Sequence, residues 1–445
     1  MNQVRAKFFK QLLRPGLLNV LEHGITRASD ALISLFLIWS LPVVLYGKLA
    51  YAQAVVAPLA FLFITQETYI YRSYRTWKSQ GRETLQEAHQ LMDRIIGLKI
   101  GIAIILSLIL ALSVRGKSQL PLLLSFGVFI WAFSSVLLTH WLGPDREFLR
   151  LGGRLATLNR ITLIQKFIVL VGVILAIRLA PGTLIWLAPL WMLAIGLTKF
   201  LLVRQVSNLH NGFNSNQEAS TSRPSFSDAF FGMSLWNHIA GSIYLFGQTM
   251  DLFFLGIFES DARTISLYSV ALKYATFCTF LPYAFANTFN VQIGNSQGGT
   301  EGVIEQRSLF KQALPRYLAV VTAQTLLFVG LAPILFKWSS RGKWSDQEIE
   351  SLTLWFRTLV FGQALHVFPL LWWSLSQMRT PMKKVALGIY VPWGVICLVS
   401  YAWAAQLGNV RLLAQMNILT GICFSFLVIS HHRRLDLDYY STSSM

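Results

Sequence analysis

Apolar stretches of about 20 residues recur along the whole chain, and they constrain its fold more than any other feature. A helix of this length crosses a bilayer and satisfies its own backbone hydrogen bonds there. Only 13% of the residues are charged, against about 25% in soluble domains, and the mean hydropathy is +0.51. The sequence therefore predicts an all-α integral membrane protein with twelve transmembrane helices. The predicted spans are 14–40, 46–70, 94–114, 119–142, 157–179, 181–204, 227–256, 265–293, 315–338, 351–377, 381–405 and 408–431.

The net charge of +18 could indicate a nucleic-acid partner, but the placement of the basic residues argues against one. If the N-terminus is cytoplasmic, twelve spans put more than twice as many Lys and Arg residues on the cytoplasmic side as on the other. This is the positive-inside bias of membrane proteins. We therefore predict that both termini are cytoplasmic and that no nucleic acid is bound. A role in lipid-surface binding remains open for the basic residues between Arg72 and Arg82.

The chain contains two similar stretches that are 221 to 224 residues apart, close to half its length. Their shared positions are Asp30 and Asp251, Leu45-Tyr46 and Leu267-Tyr268, Tyr51-Ala52 and Tyr274-Ala275, and Pro58 and Pro282. Parallel repeats of this kind are common in transporters, where the substrate lies between the halves. We predict an N-terminal six-helix bundle over 1–205, a polar cytoplasmic linker over 206–226 and a C-terminal six-helix bundle over 227–445.

The first predicted span carries a polar stripe, and its counterpart in the second half carries another. Residues three or four apart share one helix face, so each stripe is expected to avoid lipid and to line a protein interior or a wet cavity. A simple ion pair between Arg27 and Asp30 is the alternative explanation for the first stripe. The stripes contain Asn19, His23, Arg27, Asp30 and Ser34 in the first half, and Asn237, Gly241, Tyr244, Gln248 and Asp251 in the second.

Further ionisable residues fall within predicted spans. Lys166 lies deep in its span, whereas Lys273 and Arg357 are near enough to span ends for their charges to reach the interface. Glu67 lies near a cytoplasmic end and could pair with a neighbouring arginine. The His, Cys, Asp and Glu residues show no metal-ligand spacing, and no nucleophile motif or P-loop is present. The sequence thus predicts no catalytic residues, no metal and no cofactor.

The run Leu45-Tyr46-Gly47-Lys48-Leu49-Ala50-Tyr51-Ala52, followed by a span that ends in Tyr71-Arg72-Ser73, resembles the first two spans of Wzx-type polysaccharide flippases. The run Asp251-Leu252-Phe253-Phe254-Leu255-Gly256, followed by Leu267-Tyr268 and Tyr274-Ala275, resembles the matching part of the second half. These flippases belong to the multidrug/oligosaccharidyl-lipid/polysaccharide exporter superfamily.

The resemblance implies two pseudo-symmetric six-helix bundles around a central cavity that opens alternately to each side of the bacterial inner membrane. The implied cargo is an undecaprenyl-diphosphate-linked oligosaccharide, such as an O-antigen repeat unit for lipopolysaccharide. Membrane lipids, a polysaccharide polymerase and a chain-length regulator are the implied partners. The substrate would contact Arg27, Lys166, Lys273, Arg357, His23 and Gln248. Three acidic residues would couple an ion or orient the basic groups: Asp30, Asp251 and Glu67.

Two other functions fit parts of the sequence. A cation-coupled multidrug exporter of the same superfamily would favour an acidic cavity, whereas basic residues within the predicted spans at least equal the acidic ones. A membrane-embedded polysaccharide polymerase would be an enzyme and would need a large external loop for its catalytic groups. The longest predicted outer loop, 339–350, is only about a dozen residues, so the sequence favours a non-enzymatic transporter.

Overall fold

The computed structural model describes residues 24, 26, 28–63, 66–118, 122–179, 187–212, 224–231, 235–259, 261–294 and 299–443. Every regular element within these residues is a helix, so the predicted all-α class is confirmed for the described part of the chain. The chain divides into two compact units. The N-unit is Ala28–Thr249, and the C-unit begins at Met250. The predicted boundaries at 205 and 227 stay a prediction.

The N-unit contains ten helices of the α type and two 3-10 turns in the described ranges. The helices are α1 (Ala28–Ser40), α2 (Val43–Val56), α3 (Gln66–Gln80), α4 (Arg82–Ser118), α5 (Leu122–Val136), α6 (Gly143–Leu151), α7 (Leu155–Leu179), α8 (Leu187–Asn211), α9 (Phe226–Phe231) and α10 (Leu235–Gly247). The 3-10 turns, Ala57–Phe63 and Leu138–Leu142, follow α2 and α5. One hydrophobic core joins α3, α4, α6, α7 and α8.

The C-unit continues with nine described α-helices, which form a second set of apolar spans. They are α11 (Met250–Phe258), α12 (Ala262–Phe277), α13 (Phe280–Gly294), α14 (Gly299–Ser340), α15 (Asp346–Val367), α16 (Leu370–Arg379), α17 (Met382–Val385), α18 (Val391–Gln406) and α19 (Val410–Ser443). A π-helical turn over Ala386–Tyr390 joins α17 to α18. A separate core forms where α13, α14, α15 and α16 pack together.

Nine helical segments in the described residues are long and apolar enough to cross a membrane, and a bent pair formed by α9–α10 and α11 makes a tenth. The shorter apolar helix α1 falls within the first predicted span, and the long helix α4 contains the predicted span 94–114. The multi-pass membrane architecture is therefore confirmed. The number twelve and the pseudo-symmetry of the halves stay predictions.

Helices extend into two segments that the sequence analysis treats as long connections outside the membrane. The segment 71–93 is covered by α3 and α4, which are separated by Gly81 with a φ of 102°. Only glycine adopts this conformation without strain, so the chain turns sharply there without a loop. In the segment 294–314, α14 begins at Gly299 and continues through the polar residues. An apolar run in the sequence predicts which part of a helix lies in lipid, but it does not predict the residue at which the helix ends.

The two prolines of the repeated stretches lie at breaks in their helices. Pro58 is the second residue of the 3-10 turn that follows α2, and Pro282 lies in the first turn of α13, just after α12 ends. Proline lacks the N–H that would continue the helical hydrogen bonds, and its ring disfavours the preceding turn. Both prolines therefore lie where the regular α-helix is interrupted.

Helices α15 and α19 approach each other closely at Gly362. A Cβ at this position would lie 2.3 Å from Oδ1 of Asn417 and 2.8 Å from its backbone carbonyl carbon. Asn417 is buried, and its Oδ1 has no hydrogen-bond partner. The Cα hydrogens of Gly362 face this oxygen, and a weak Cα–H···O contact accounts for the close approach. Small residues allow the same close helix packing in many membrane proteins.

We predict that Gly362→Ala destabilises the C-unit by roughly 1–3 kcal/mol, because overpacking forces side chains or backbone to shift. Gly330→Ala is the matched control, since a Cβ at Gly330, inside α14, meets no atom within 4 Å. Alanine also favours helix over glycine, so the control should unfold at the same temperature or higher. Thermal unfolding of the two purified variants measures the difference, and equal midpoints would contradict the predicted contact.

Candidate functional site

An ion pair joins two of the predicted site residues within the N-unit. Nζ of Lys166 donates a hydrogen bond to Oδ1 of Asp30 at 2.5 Å. Asp30 lies in the first turn of α1, and its neighbour Ser34 bonds to the Asp30 carbonyl oxygen through Oγ. Lys166 lies 11 residues after the start of α7, or about 17 Å along the helix. The pair thus joins α1 to the middle of a span.

The Asp30–Lys166 ion pair is partly exposed although Lys166 lies near the middle of the α7 span, and this exposure indicates what surrounds the pair. The Asp30 and Lys166 side chains are 37% and 17% accessible. A charged group facing lipid at the centre of a membrane costs about 3 kcal/mol on insertion scales. The exposed part of the pair is therefore expected to face water or a polar ligand rather than lipid tails. A partly solvated ion pair can exchange partners at small cost, because solvent already weakens its attraction.

Lys166 belongs to a polar side of α7 that runs toward the beginning of the helix. Asn159, Thr162 and Gln165 precede it at spacings of three and three residues, and Thr162 and Gln165 are buried. The side-chain oxygen of Gln165 accepts a hydrogen bond of 2.8 Å from Nη2 of Arg146 on α6. The polar side is therefore integrated into the N-unit, and it ends at the partly exposed side chain of Lys166.

Asp251 lies in a different setting from its repeat partner Asp30. Its side chain is 1% accessible and accepts hydrogen bonds from the Tyr268 hydroxyl at 2.9 Å and from the backbone N–H of Leu252 at 2.7 Å. Asp251 forms no ion pair within the described part of the chain. The predicted stripe before it is interrupted, since α10 ends at Gly247 and α11 begins at Met250. Asp251 is therefore a buried carboxyl that is held by a phenol and a helix N-terminus.

The other predicted substrate-binding residues that the structure describes lie on different helices or turns. Lys273 is half-buried on α12, and Arg357 on α15 donates from Nε to the carbonyl oxygen of Val329 at 3.2 Å. Gln248 lies in the turn that follows α10. His23 and Arg27 lie outside the described residues, as does the side chain of Glu67, whose backbone is part of α3. The described structure brings together Asp30 and Lys166, and the roles of the others stay predictions.

The N-unit contains a largely buried polar cluster that the sequence does not predict. We call it the His89–Lys199 cluster, and it contains His89, Asp93, Asp145 and Lys199. Nζ of Lys199 donates to Asp145 and Asp93, both at 2.6 Å, and Nε2 of His89 is 2.7 Å from Asp145. The cluster joins α4, α6 and α8. The predicted topology counts Lys199 only among the cytoplasmic basic residues, and the i, i+4 spacing of His89 and Asp93 is the signal that the sequence contains.

Three residues of the cluster also form a group of possible metal ligands that their spacing in the sequence does not indicate. Ligand atoms of His89, Asp93 and Asp145 lie within 4.8 Å of one another, a geometry that could hold a metal ion. The ammonium of Lys199, however, already binds both carboxylates and supplies the positive charge there. The residues present therefore fit a tethered ammonium better than a metal ion. No metal role is assigned to the cluster.

A second missed residue is Lys99, which is completely buried in α4 within the predicted span 94–114. Its Nζ donates to the carbonyl oxygen of Phe230 at 2.8 Å and lies 4.5 Å from the Phe230 ring. Phe230 belongs to α9, so Lys99 binds the C-terminal end of that short helix, where carbonyl groups favour a cation. Tyr69 adds a second link, because its hydroxyl accepts the backbone N–H of Ser225 at 3.1 Å.

Most of the chain superposes on solved membrane transporters. VcmN, a MATE transporter of Vibrio cholerae in an aspartate-to-asparagine variant, matches 96% of this chain and 97% of its own with a TM-score of 0.66 and 13% identity. The lipid II flippase MurJ matches 95% of this chain and 90% of its own, with a TM-score of 0.63 and 13% identity. This chain has the fold of the MOP-superfamily transporters.

A third MOP-superfamily transporter, from Pyrococcus furiosus, is described as having a binding pocket of reversed polarity. It matches 96% of each chain with a TM-score of 0.65 and 12% identity. At the level of sequence, neither a family model nor a curated protein matches this chain. The MOP fold thus rests on three-dimensional similarity. It agrees with the superfamily implied by the sequence resemblance, while the Wzx-type subgroup and the cargo remain to be proposed.

Proposed function

We propose that this chain is a flippase that moves an undecaprenyl-diphosphate-linked oligosaccharide across the bacterial inner membrane by alternating access. The MOP fold supports a membrane transporter rather than an enzyme. MurJ, which shares the fold, is named as a flippase of lipid II. The proposal extends that kind of lipid-linked cargo to an O-antigen or other surface-polysaccharide repeat unit.

The half-exposed ion pair of Asp30 and Lys166 is the observation that carries the proposal. A diphosphate group is a strong acceptor for charge-assisted hydrogen bonds from ammonium and guanidinium groups. Lys166 is held near mid-span by one carboxylate and remains partly accessible, so a diphosphate can replace Asp30 as its partner. Asp30 then keeps Lys166 neutralised when no cargo is present. Arg27, three residues before Asp30 in the sequence, is proposed to act with Lys166.

The remaining predicted residues complete the proposal. Lys273, Arg357, His23 and Gln248 are proposed to contact the cargo as the two halves change their access. Asp251 is proposed as the coupling-ion group, because a buried carboxyl without a basic partner among the described residues favours either a proton or a bound cation. Glu67 is proposed to orient nearby basic groups. Both termini are placed in the cytoplasm, and a polymerase and a chain-length regulator are the proposed partners.

A cation-coupled multidrug exporter is the second candidate function, and two observations favour it. MATE transporters share the fold, and the exposed part of the Asp30–Lys166 pair includes the carboxylate, which is 37% accessible. An organic cation could bind Asp30 in place of Lys166. The two functions therefore depend on opposite members of the same ion pair, so they make opposite predictions for its variants.

Reconstitution in liposomes tests the proposal directly. We expect the protein to move a lipid-linked oligosaccharide between leaflets, measured by enzymatic accessibility of the sugar from outside, and not to accumulate an organic cation such as ethidium. Imposed proton and sodium gradients identify the coupling ion, and Asp251→Asn should remove the gradient dependence. Movement no faster than in empty liposomes under every gradient would overturn the flippase. Ethidium transport with no movement of the saccharide would establish the exporter instead.

A further inference from the structure

Two sets of contacts show which residues of α7 and α8 lie at the same depth. They give the relative depth of an exposed arginine on each helix. Gln165 on α7 and Lys199 on α8 bind adjacent residues of α6, Arg146 and Asp145. Consecutive membrane spans run in opposite directions. The position five residues before Gln165 and the position five residues after Lys199 therefore lie at the same depth. Both are about 7.5 Å closer to the end of the pair where α7 begins and α8 ends. These positions are occupied by Arg160 and Arg204.

A close approach elsewhere on the two helices confirms this register. A Cβ at Gly172 would lie 2.7 Å from Cδ2 of Leu190, so α7 and α8 meet at that level. Counting 12 residues from Gly172 toward the start of α7 gives Arg160, and counting 12 from Leu190 along α8 gives Leu202. Leu202 is only two residues, or about 3 Å, from Arg204. Both measures place the two arginines at nearly the same depth.

Both arginines end a lipid-exposed apolar stripe. On α7, Leu163, Ile164 and Phe167 follow Arg160 at helical spacing and are 52%, 47% and 64% accessible. On α8, the stripe that leads to Arg204 contains Leu193, Leu197 and Phe200. Arg160 and Arg204 are themselves exposed, and neither has an ion-pair partner among the described residues. Two free guanidinium groups thus border a surface that acyl chains would cover.

We propose that Arg160 and Arg204 bind the phosphate of an anionic phospholipid in the leaflet where α7 begins and α8 ends, the cytoplasmic leaflet in the proposed topology. Guanidinium groups match phosphate oxygens in charge and geometry, and each basic residue near an anionic membrane surface adds about 1 kcal/mol of attraction. The apolar stripes receive the lipid tails. The site is built from α7 and α8 alone.

The phospholipid is favoured over the proposed cargo because Arg160 and Lys166 occupy different sides of α7. Six residues at 100° per residue separate them by about 120° around the helix. Lys166 shares its side with Asn159 and Thr162, whereas Arg160 shares its side with the exposed Leu163 and Phe167. The lipid site is therefore separate from the proposed path of the cargo, and it can be tested without any transport.

Native mass spectrometry of the full chain in detergent, titrated with phosphatidylglycerol or phosphatidylcholine, tests the site. We expect the protein to prefer phosphatidylglycerol, and Arg160→Gln with Arg204→Gln to lower its affinity roughly 25-fold, about fivefold for each arginine. Arg160→Lys with Arg204→Lys should retain the preference, since it keeps both charges. Arg178→Gln is the matched control, because Arg178 is also exposed on α7 but lies at the opposite end.

Three results would overturn the site. The first is equal affinity for the two lipids in the unaltered protein. The second is an affinity for phosphatidylglycerol in the double glutamine variant that matches that of Arg178→Gln. The third is displacement of phosphatidylglycerol by an equal concentration of undecaprenyl phosphate, which would assign the arginines to the cargo. The flippase proposal fails on transport data alone, so the two failures are distinguishable.

Discussion

Replacing Lys166 with methionine is expected to reduce transport of the lipid-linked oligosaccharide at least roughly tenfold, which corresponds to about 1.4 kcal/mol. Methionine keeps the length and packing of the side chain but removes the ammonium that we propose to bind the diphosphate. Asp30 is partly exposed, so it can be solvated when its partner is lost, and the protein should still fold. The rate of saccharide movement in liposomes, normalised to the amount of folded protein, is the measurement.

A charge swap separates the proposed binding role from a purely structural one. Asp30→Lys combined with Lys166→Asp preserves an ion pair between α1 and α7 while exchanging the positions of the charges. If Lys166 binds the cargo, the swap restores thermal stability but leaves transport low. Recovery of transport in the swapped variant would show that the pair only holds the helices together. Arg178→Gln, at the other end of α7, controls for the loss of a positive charge.

The two candidate functions also differ in what they require of Asp30. A flippase that binds anions through Lys166 should retain saccharide transport when Asp30→Asn removes the competing carboxylate. An exporter of organic cations should lose its activity with the same change. Both variants keep the size of the side chain, so their folding is expected to be similar. Comparing Asp30→Asn with Lys166→Met in both transport assays therefore assigns the substrate charge.

Replacing Lys199 with alanine is expected to destabilise the protein by about 3–5 kcal/mol, the usual cost of removing one partner from a buried ion pair. The change leaves the carboxylates of Asp145 and Asp93 close together without the ammonium that binds both. Asp145 is completely buried, so water cannot compensate for the loss. We expect the unfolding midpoint of the purified protein to fall by roughly 10 °C.

Two further variants define the cause of that loss. Arg94→Ala removes an exposed charge from α4, one residue after Asp93, and should change stability by less than about 0.5 kcal/mol. Lys199→Met combined with Asp93→Asn and Asp145→Asn removes all three charges and should recover much of the lost stability. An unchanged midpoint in Lys199→Ala would show that the cluster does not stabilise the N-unit. A larger loss in the triple variant would show that the charges matter less than the packing.

The spans could be predicted from the sequence because side chains that face lipid are apolar, so each span appears as a run of high hydropathy. The run 157–179, for example, corresponds to α7 with nearly the same bounds. The ends of α3, α4 and α14 could not be predicted, since they extend into polar sequence where hydropathy carries no signal. In α3 and α4, Trp77 and Leu85 of these polar stretches are buried in the N-unit core. Such long-range contacts are not visible in a local pattern.

The candidate site was predictable only in part. Charges within apolar spans identify Asp30 and Lys166 as candidates, but no local pattern pairs residues that are 136 positions apart. Lys199 is one of the basic residues that the predicted topology puts on the cytoplasmic side. Its actual direction is set by Asp93 and Asp145 on other helices. Lys99 was missed for the same reason, since its partner is a backbone carbonyl of α9.

The attachment of α9 by Lys99 and Tyr69 determines where the chain tolerates a cut. Helix α8, which precedes residues 213–223, and helix α9, which follows them, both belong to the N-unit. A chain divided within 213–223 would give two fragments. The second would carry α9 and α10, and α9 would bind the first fragment. Co-expressed fragments could therefore reassemble into a complete N-unit through Lys99–Phe230 and Tyr69–Ser225. This position suits split reporters and inserted tags better than the junction at Thr249 and Met250.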